Sequence, residues 1–298
     1  MRVPKKCRGE FANFLGANFG TEKKLSAFNM AIRVILLVIS YIASADQTSI
    51  PRILIPPGGY HYPVTFMEIG ETKLLIPAND NYIARSALLT GTYDTVERDY
   101  ILSLLTPGQA VVEVGCNFGP YSISIARMLG PAGFLYCFEP FRLMYQVLTA
   151  NVALNGLSNV RTFNLGISNI SSTLTNVQGP DLNYEDNYGA ASLLDGDRKP
   201  WIFNRTVVDN VTMSTLDSIP LDHRIGLLKV DVEGMEFEVV YGASELIRRD
   251  QPILYVENNS VTREALESFE NVVMRRFGYA CTRPHELRLH NIVICRHT

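Results

Sequence analysis

The chain has 298 residues, of which 47% are hydrophobic and 19% are charged, and this balance is typical of a globular protein whose core needs no disulfide bonds. Its formal net charge of −3 gives no electrostatic basis for binding nucleic acid. The cysteines form no CxxC pair, so we predict reduced core thiols rather than a metal site or a disulfide framework at Cys7, Cys116, Cys137, Cys281 and Cys295.

Residues 1–50 form a basic segment with one hydrophobic stretch, MAIRVILLVISYIASA, at residues 30–45. A bilayer span needs about 20 apolar residues, and this stretch is shorter. It is compatible with a signal-anchor helix, with a secretory signal cleaved after Ala43-Ser44-Ala45, and with an amphipathic or core helix. We expect residues 30–45 to direct the chain to a membrane or the secretory pathway rather than to the cytoplasm.

The rest of the chain predicts a linker or cap at residues 51–79, which are rich in proline, and one domain at residues 80–298. In that domain strand patterns alternate with helical patterns, which is typical of βαβ units. We therefore predict an α/β, Rossmann-like doubly wound sheet that is mostly parallel and ends in an antiparallel hairpin. The predicted strands are 110–114, 134–138, 160–165, 226–230 and 253–256, and the predicted helices are 95–105, 121–129, 143–155, 236–248 and 263–277.

The stretch VVEVGCNFGPYS at residues 111–122 contains the turn after the first of these strands. Gly115 permits a tight turn and a close approach of ligand to backbone, and Gly119 permits close packing of the helix that follows. Asn117 stands where a dinucleotide fingerprint has its second glycine. Glu113 puts a carboxylate at the strand end, which repels a pyrophosphate and suits the ammonium and sulfonium groups of S-adenosylmethionine.

A second acid, Glu139, comes directly after the next strand. An acid about 20 residues beyond the first turn, at the end of the adjacent strand, is placed to bind ribose hydroxyls. Pro140 follows this acid. The third strand ends at Leu165-Gly166, where an adenine ring would lie, and we assign all four residues to the cofactor site.

Seven segments of the chain resemble the FkbM family of methyltransferases. They are GTYDTVE (91–97), PGQAVVEVGCNFGPYSISIA (107–126), FEP (138–140), ANVALNG (150–156), STLDSI (214–219), LLKVDVEGMEFEVVYGA (227–243) and PILYVE (252–257). Glu113 and Cys116 stand where the family usually has Asp and Ala. The resemblance implies a class I methyltransferase that uses S-adenosylmethionine, usually to methylate a hydroxyl oxygen of a sugar or natural product. We add Glu97, Tyr121 and Ser122, from the matching segments, to the predicted cofactor site.

Acids that follow the fourth and fifth strands are the candidate catalytic groups. A neutral hydroxyl is a poor nucleophile, so we expect a base or a metal ion beside it. Asp231 ends the fourth strand and is our first choice for removing the acceptor proton or aligning the acceptor. Glu233 either faces the same side as Asp231, if the chain there is extended, or caps the next helix. Glu257, together with Asp231 and Asn258, also offers oxygen ligands suited to Mg²⁺, which is an alternative to direct base catalysis.

Further candidates lie in loops. His285 is in the turn of the final hairpin, and histidine is a common catalytic base, although the pattern favours a solvent-exposed loop histidine over a base. Tyr184, Tyr188 and Ser192 lie in the long connection before the fourth strand and are candidates for acceptor contacts. We expect a small-molecule or glycan acceptor and no nucleic-acid partner.

Two other functions fit the same predicted fold. A nicotinamide-dependent oxidoreductase is disfavoured by Glu113 and by the missing central glycine of the turn. A catalytically inactive nucleotide-binding module is disfavoured by the acids Asp231 and Glu257.

Overall fold

The computed structural model describes residues 63–69, 71–194, 206–258, 263–287 and 291–298, and the side chains of residues 263–268 are outside this description. The hydrophobic stretch at residues 30–45 lies outside the described residues. Within the part that is described, no helix combines the length and the apolar character needed to cross a bilayer. The predicted domain boundaries after residues 50 and 79 stay predictions.

A central sheet of seven strands forms the framework of the described part, in the order β11-β12-β10-β9-β3-β4-β5. Five strands, β5, β4, β3, β9 and β10, run parallel, and β12 and β11 close the sheet as an antiparallel hairpin. The predicted α/β, doubly wound class is therefore confirmed. The strands are β3 (Ala110–Val114), β4 (Phe134–Phe138), β5 (Val160–Phe163), β9 (Ile225–Val230), β10 (Ile253–Glu257), β11 (Tyr279–Thr282) and β12 (Ile292–His297).

Helices cover both faces of this sheet, since its inner strands are apolar on both sides. Val111 of β3 packs with Ile101 and Ile125 on one face, whereas Val112 packs with Val239 on the other. The helices are α1 (Ile83–Thr90), α2 (Thr95–Ser103), α3 (Ser122–Leu129), α4 (Arg142–Leu154), α5 (Glu236–Gly242), α6 (Ser244–Asp250) and α7 (Arg263–Phe277).

The helix predicted at 236–248 is in fact two helices, α5 and α6, and the single-helix prediction was wrong. The break lies at Ala243, just after Gly242. A Cβ atom on Gly242 would lie 2.0 Å from the carbonyl oxygen of Ser168, so only glycine lets the end of α5 approach the backbone of Ser168 this closely. Glycine is also a poor helix former, which favours a break there.

A hairpin of β1 (Val64–Ile69) and β2 (Thr72–Pro77) occupies the described part of the predicted linker or cap. Asn151 on α4 and Asn155, which caps the C-terminal end of α4, bind β2 as another strand would. The Asn151 side chain accepts from the Leu75 N–H at 2.6 Å and donates to the Leu75 carbonyl at 2.9 Å. Asn155 makes the same pair of bonds with Lys73 at 3.0 and 2.6 Å. Because the asparagines are four residues apart, they lie on one face of the helix.

A second sheet lies in the long connection before β9, with strands β6 (Gly166–Ile167), β7 (Ser172–Pro180) and β8 (Thr206–Ser214) in the order β6-β8-β7. The sequence of this connection contains one strand-like run, residues 206–213, and this run lies in β8. Strand β7 escapes prediction because most of its residues are exposed and polar, so its pattern shows no apolar face.

Two of the cysteines contradict the prediction of reduced thiols. Cys281 and Cys295 form a disulfide, while Cys116 and Cys137 are free and buried as predicted. The disulfide forms because Cys281 and Cys295 stand directly opposite each other in the antiparallel pair β11 and β12. Their spacing along the chain does not reveal this register. Cys7 lies outside the described residues.

Candidate active site

The carboxyl ends of β3, β4, β9 and β10 open onto a cavity with about 1150 Å³ of free space, its open mouth included. The chain leaves β3 towards β4 on one side and continues from β9 towards β10 on the other, which is the position where doubly wound sheets bind ligands. The lining includes the predicted residues Glu97, Gly115, Asn117, Tyr121, Glu139, Pro140, Leu165, Gly166, Asp231, Glu233 and Glu257.

The turn after β3 joins three strand ends. Gly115 and Cys116 donate their backbone N–H groups to the Phe138 carbonyl at 2.9 and 3.1 Å, and Asp231 donates its N–H to the Val114 carbonyl at 3.0 Å. Gly115 has a φ of 87°, and a Cβ atom there would lie 1.7 Å from the Asp231 carbonyl oxygen. Glycine is therefore required at this position by both the backbone conformation and the close approach of β9.

Glu139 is held at the cavity wall by the same turn. Its Oε2 accepts from the Asn117 N–H at 2.7 Å and its Oε1 accepts from the Phe141 N–H at 2.9 Å. The residue is 3% exposed, and burial raises the pKa of its carboxyl to about 7, against the opposing effect of these two hydrogen bonds. Each carboxylate oxygen keeps lone pairs for a further donor, so Glu139 has the chemistry needed to bind hydroxyl groups.

Glu113 does not face the cavity, and this corrects the expectation that its carboxylate meets a cationic ligand. It is 1% exposed, its Oε2 accepts from the Ser122 hydroxyl at 2.6 Å, and its Oε1 lies 3.6 Å from Lys229 Nζ. Side chains alternate along a strand, so Glu113 shares the face of Val111, which is covered by α2 and α3. Ser122, its partner on α3, is likewise outside the lining.

Gly119, the last glycine of this turn, contributes to packing rather than to the cavity lining. It has a φ of 87°, and a Cβ atom there would lie 2.8 Å from Leu148 Cδ1 on α4. The glycine therefore permits close approach of α4 to the turn, whereas the sequence predicts close packing of the following helix on the strand, and Gly119 is not in the lining.

A buried polar layer lies between the sheet and helices α2 and α3. Glu97 accepts from the Tyr121 hydroxyl at 3.0 Å and from the Tyr255 hydroxyl at 2.9 Å. Lys229 Nζ lies 3.1 Å from Asp231 Oδ2 and 5.0 Å from the centre of the Tyr121 ring. Burial raises the pKa of Glu97, and the charge of Lys229 acts against that rise. Through Lys229, this buried layer reaches Asp231, which lines the cavity.

The cavity is acidic. Its described lining contains six carboxylate residues and no lysine, arginine or histidine, the acids being Asp94, Glu97, Glu139, Asp231, Glu233 and Glu257. Burial, followed by the nearby charge of Asp231, raises the pKa of Glu257 to about 10, so this group carries a proton at neutral pH. The Asp231 side chain is 23% exposed. Such a lining favours a ligand that brings positive charge.

His285 does not reach this cavity, which corrects its assignment as a candidate base. It is exposed, in a short 3₁₀ helix at His285–Leu287, and is outside the lining. The turn between β11 and β12 does lie at the carboxyl edge of the sheet. However, β12 separates β11 from β10, so the hairpin turn is at the outer end of that edge.

The predicted magnesium ligands are only partly brought together. Asp231 and Glu257 both line the cavity, but Asn258 is buried outside the lining. Of the candidate acceptor contacts, Tyr188 lines the cavity and Tyr184 does not. The Ser192 hydroxyl donates to the Glu233 carbonyl at 2.7 Å, so it holds the loop that follows β9.

Several lining residues are missed by the sequence predictions, namely Tyr82, Tyr93, Asp94, Asn187, Gly189 and Met235. Tyr93 and Asp94 belong to the segment GTYDTVE, from which only Glu97 is selected. Tyr82 and Asn187 carry no signal in the sequence, because they reach the cavity through the packing of α1 and the connection after β7. Lys229 could have been found, since a lysine inside an apolar strand needs buried acidic partners.

Comparison with known proteins agrees with this architecture. The FkbM methyltransferase domain matches residues 113–281, which is more than half of the chain. The chain belongs to this family. Methyltransferase sdnD of Sordaria araneosa is 29% identical over 171 residues, which cover 49% of this chain and 64% of that protein. This FkbM-family chain thus spans less than two thirds of that relative's length.

Two further similarities are more distant. Ribosomal protein L11 methyltransferase of Caldanaerobacter subterraneus is 32% identical over 76 residues, covering 25% of this chain and 24% of that protein. The crystal structure of methyltransferase FkbM from Methylobacillus flagellatus is 16% identical, with a TM-score of 0.46, covering 73% of this chain and 55% of the other.

Proposed function

We propose that this FkbM-family chain binds S-adenosylmethionine in the acidic cavity and transfers its methyl group to a hydroxyl oxygen of a sugar or other small molecule. The observation that carries the proposal is the described lining, which has six acidic residues and no basic residue, at the carboxyl ends of β3 and β9. S-adenosylmethionine carries a sulfonium and an ammonium group, so an acidic lining fits it. A dinucleotide, with its pyrophosphate, fits poorly.

The side of the cavity formed by β3, β4 and β5 suits the nucleoside part of this cofactor. Glu139 would accept hydrogen bonds from the ribose hydroxyls, because its carboxylate is fixed by two backbone N–H groups. Phe141, Leu165 and Ile167 offer an apolar surface for the adenine ring. When bound, S-adenosylmethionine supplies an electrophilic methyl group on its sulfonium.

Asp231 is the proposed base. Its backbone is fixed by the hydrogen bond to Val114, and its side chain lines the cavity with partial exposure. Glu257 is protonated at neutral pH, so it is suited to donate a hydrogen bond to the acceptor rather than to take its proton. Asp231 would therefore take the hydroxyl proton on a carboxylate oxygen as the acceptor oxygen attacks.

The negative charge of the cavity lining supports a neutral acceptor. An anionic acceptor would enter a cavity already lined by Asp94, Glu233 and Asp231 and would be repelled. Tyr82 lies at the mouth and is 62% exposed, so its ring offers a flat apolar surface on which a sugar ring can stack.

Two measurements test this function. Calorimetric titration should show binding of S-adenosylmethionine and no binding of NAD, and binding of NAD alone would overturn the proposal. A transfer assay with labelled cofactor should then show methylation of neutral glycans in preference to matched uronic acids. It is run with Mg²⁺ and with a chelator, because Asp231 and Glu257 together offer ligands for that ion. Preference for the uronic acids would contradict the proposed acceptor class.

A further inference from the structure

Lys229 is a buried charge that the proposed reaction does not yet use. It lies in the otherwise apolar strand β9 and is 1% exposed. In the sheet it stands directly opposite Glu113 of β3 on one side and Tyr255 of β10 on the other. Residues paired in this way project to the same face of the sheet, so these three side chains belong to the buried polar layer.

The contacts of Lys229 link that layer to the cavity. Its Nζ lies 3.6 Å from Glu113 Oε1 and donates a hydrogen bond of 3.1 Å to Asp231 Oδ2. Glu113 is closed off from solvent and is also bonded to Ser122, whereas Asp231 lines the cavity. Lys229 therefore touches one carboxylate that can contact a ligand and one that cannot.

Stability alone does not account for this arrangement. Burying an ammonium group and a carboxylate is costly, and replacing a buried ion pair by apolar residues of similar size is often neutral or stabilising. An apolar residue at position 229 opposite an apolar residue at position 113 would fit the core on either side. What such a pair would lack is a fixed cation beside Asp231.

We propose that Lys229 is a positioning residue that holds the Asp231 carboxylate in one orientation towards the acceptor. The inference rests on the proposed role of Asp231 as the base. Glu113 serves as the anchor of Lys229, because its carboxylate forms an ion pair with the ammonium group and is itself fixed by the hydrogen bond from Ser122.

The electrostatics of the layer agree with this role. Burial alone lowers the pKa of Lys229, but the carboxylates of Asp231, Glu113 and Glu97 outweigh burial, so its pKa is raised. These groups come from β9, β3 and α2, and the Tyr121 ring from the start of α3 lies above the ammonium group. Lys229 thus stays charged over the pH range in which a carboxylate can act as a base.

The experiment compares Lys229→Met with the double variant Lys229→Met/Glu113→Gln. The single variant leaves Glu113 buried without its cation, so both melting temperature and kcat should fall. The double variant removes that stranded charge, so the melting temperature should recover towards that of the wild type. If Lys229 positions Asp231, kcat stays about 100-fold low in the double variant, while the KM for S-adenosylmethionine changes little.

Recovery of kcat together with melting temperature in the double variant would show that Lys229 only neutralises Glu113, and would overturn the inference. Lys73→Met, the loss of an exposed lysine on β2, is the matched control. Asp231→Asn in the same assay separates the two proposals. Full activity of Asp231→Asn rejects the base assignment itself, whereas an inactive Asp231→Asn with an active double variant rejects only the role of Lys229.

A second measurement does not depend on the folding of the Lys229 variants. The ammonium group of Lys229 should give a protected nitrogen resonance in the wild-type protein, because it is buried and hydrogen-bonded. Asp231→Asn should shift that resonance. An unchanged resonance in that variant would show that the two groups do not interact, and would equally overturn the inference.

Discussion

The two walls of the cavity are built in different ways. One wall consists of short segments that each follow a strand, with Gly115, Asn117 and Glu139 joined through backbone hydrogen bonds. The rest of the lining, which we call the second wall, brings together parts that are far apart in the chain, including Tyr82, Asn187 and Glu257. The first wall binds through backbone geometry and one carboxylate, whereas the second depends on the packing of elements behind it. Local turn chemistry can specify the first wall, but only the assembled fold specifies the second.

The largest effect is expected on the second wall, at Asp231. Asp231→Ala should lower kcat by about 10²–10⁴-fold, because the acceptor hydroxyl loses its base, while the affinity for S-adenosylmethionine changes little. Steady-state kinetics and calorimetry measure the two quantities separately. Asp99→Ala on α2, whose side chain is largely exposed, provides the control. A parallel loss of affinity and turnover would mean that Asp231 belongs to the first wall, which binds the cofactor.

Gly115 tests the point where the two walls meet. Gly115→Ala should lower the free energy of unfolding by about 3 kcal/mol or more, because the added Cβ meets the Asp231 carbonyl and φ is positive. Gly156→Ala is the matched control, since its φ is 64° but no atom lies within 4 Å of the added Cβ. That variant should lose only about 1–2 kcal/mol. Equal losses in chemical denaturation would remove the argument from close approach.

Asn151 tests whether the first wall depends on the hairpin of β1 and β2. Its side chain bonds both backbone groups of Leu75 and also donates to the carbonyl of Phe118, within the turn, at 2.8 Å. Asn151→Ala should cost about 3 kcal/mol, because these buried groups lose their partner. Asn155→Ala removes the equivalent, exposed bonds to Lys73 and should cost about 1 kcal/mol. Thermal unfolding distinguishes the two, and a larger loss for Asn155 would contradict this account.

The smallest effect is a pH dependence of the first wall. The pKa of Glu139 in the free protein is raised to about 7, so its carboxyl gains a proton as pH falls below that value. Ribose hydroxyls need the ionised form as acceptor, so affinity for S-adenosylmethionine should fall by up to about tenfold per pH unit below 7 and level off above it. Glu139→Gln should bind weakly at every pH, and an unchanged slope in that variant would assign the titration to another group.

The same shift has a defined sign for stability. Because the folded pKa of Glu139 lies above the ordinary value of 4.5, its contribution to stability is complete below about pH 4.5. That contribution is lost as the pH rises through 7, where the buried carboxyl ionises. The free protein should therefore be less stable where it binds the cofactor best, and unfolding curves at pH 5 and pH 8 measure this difference.

Sequence prediction succeeded where the signal was local. The strand patterns and the family resemblance gave the confirmed fold class, and the glycine turn lies at the cavity as expected. Glu113 shows the limit of this approach, because its position next to the strand end does not tell which face of β3 it occupies. His285 shows another, since the sequence places it in a turn at the correct edge but does not reveal that β12 lies between β11 and β10.

The sequence by itself determined the alternation of strands and helices, the turn that begins at Gly115 and the acids that follow strands, because spacing and residue type express these features directly. The tertiary structure decided which acids meet. Strand order and register set Lys229 between Glu113 and Tyr255, joined Cys281 to Cys295, and brought Tyr82 and Asn187 to the cavity. Register and strand order depend on the free energy of the whole packed core, and no segment of the chain carries that information alone.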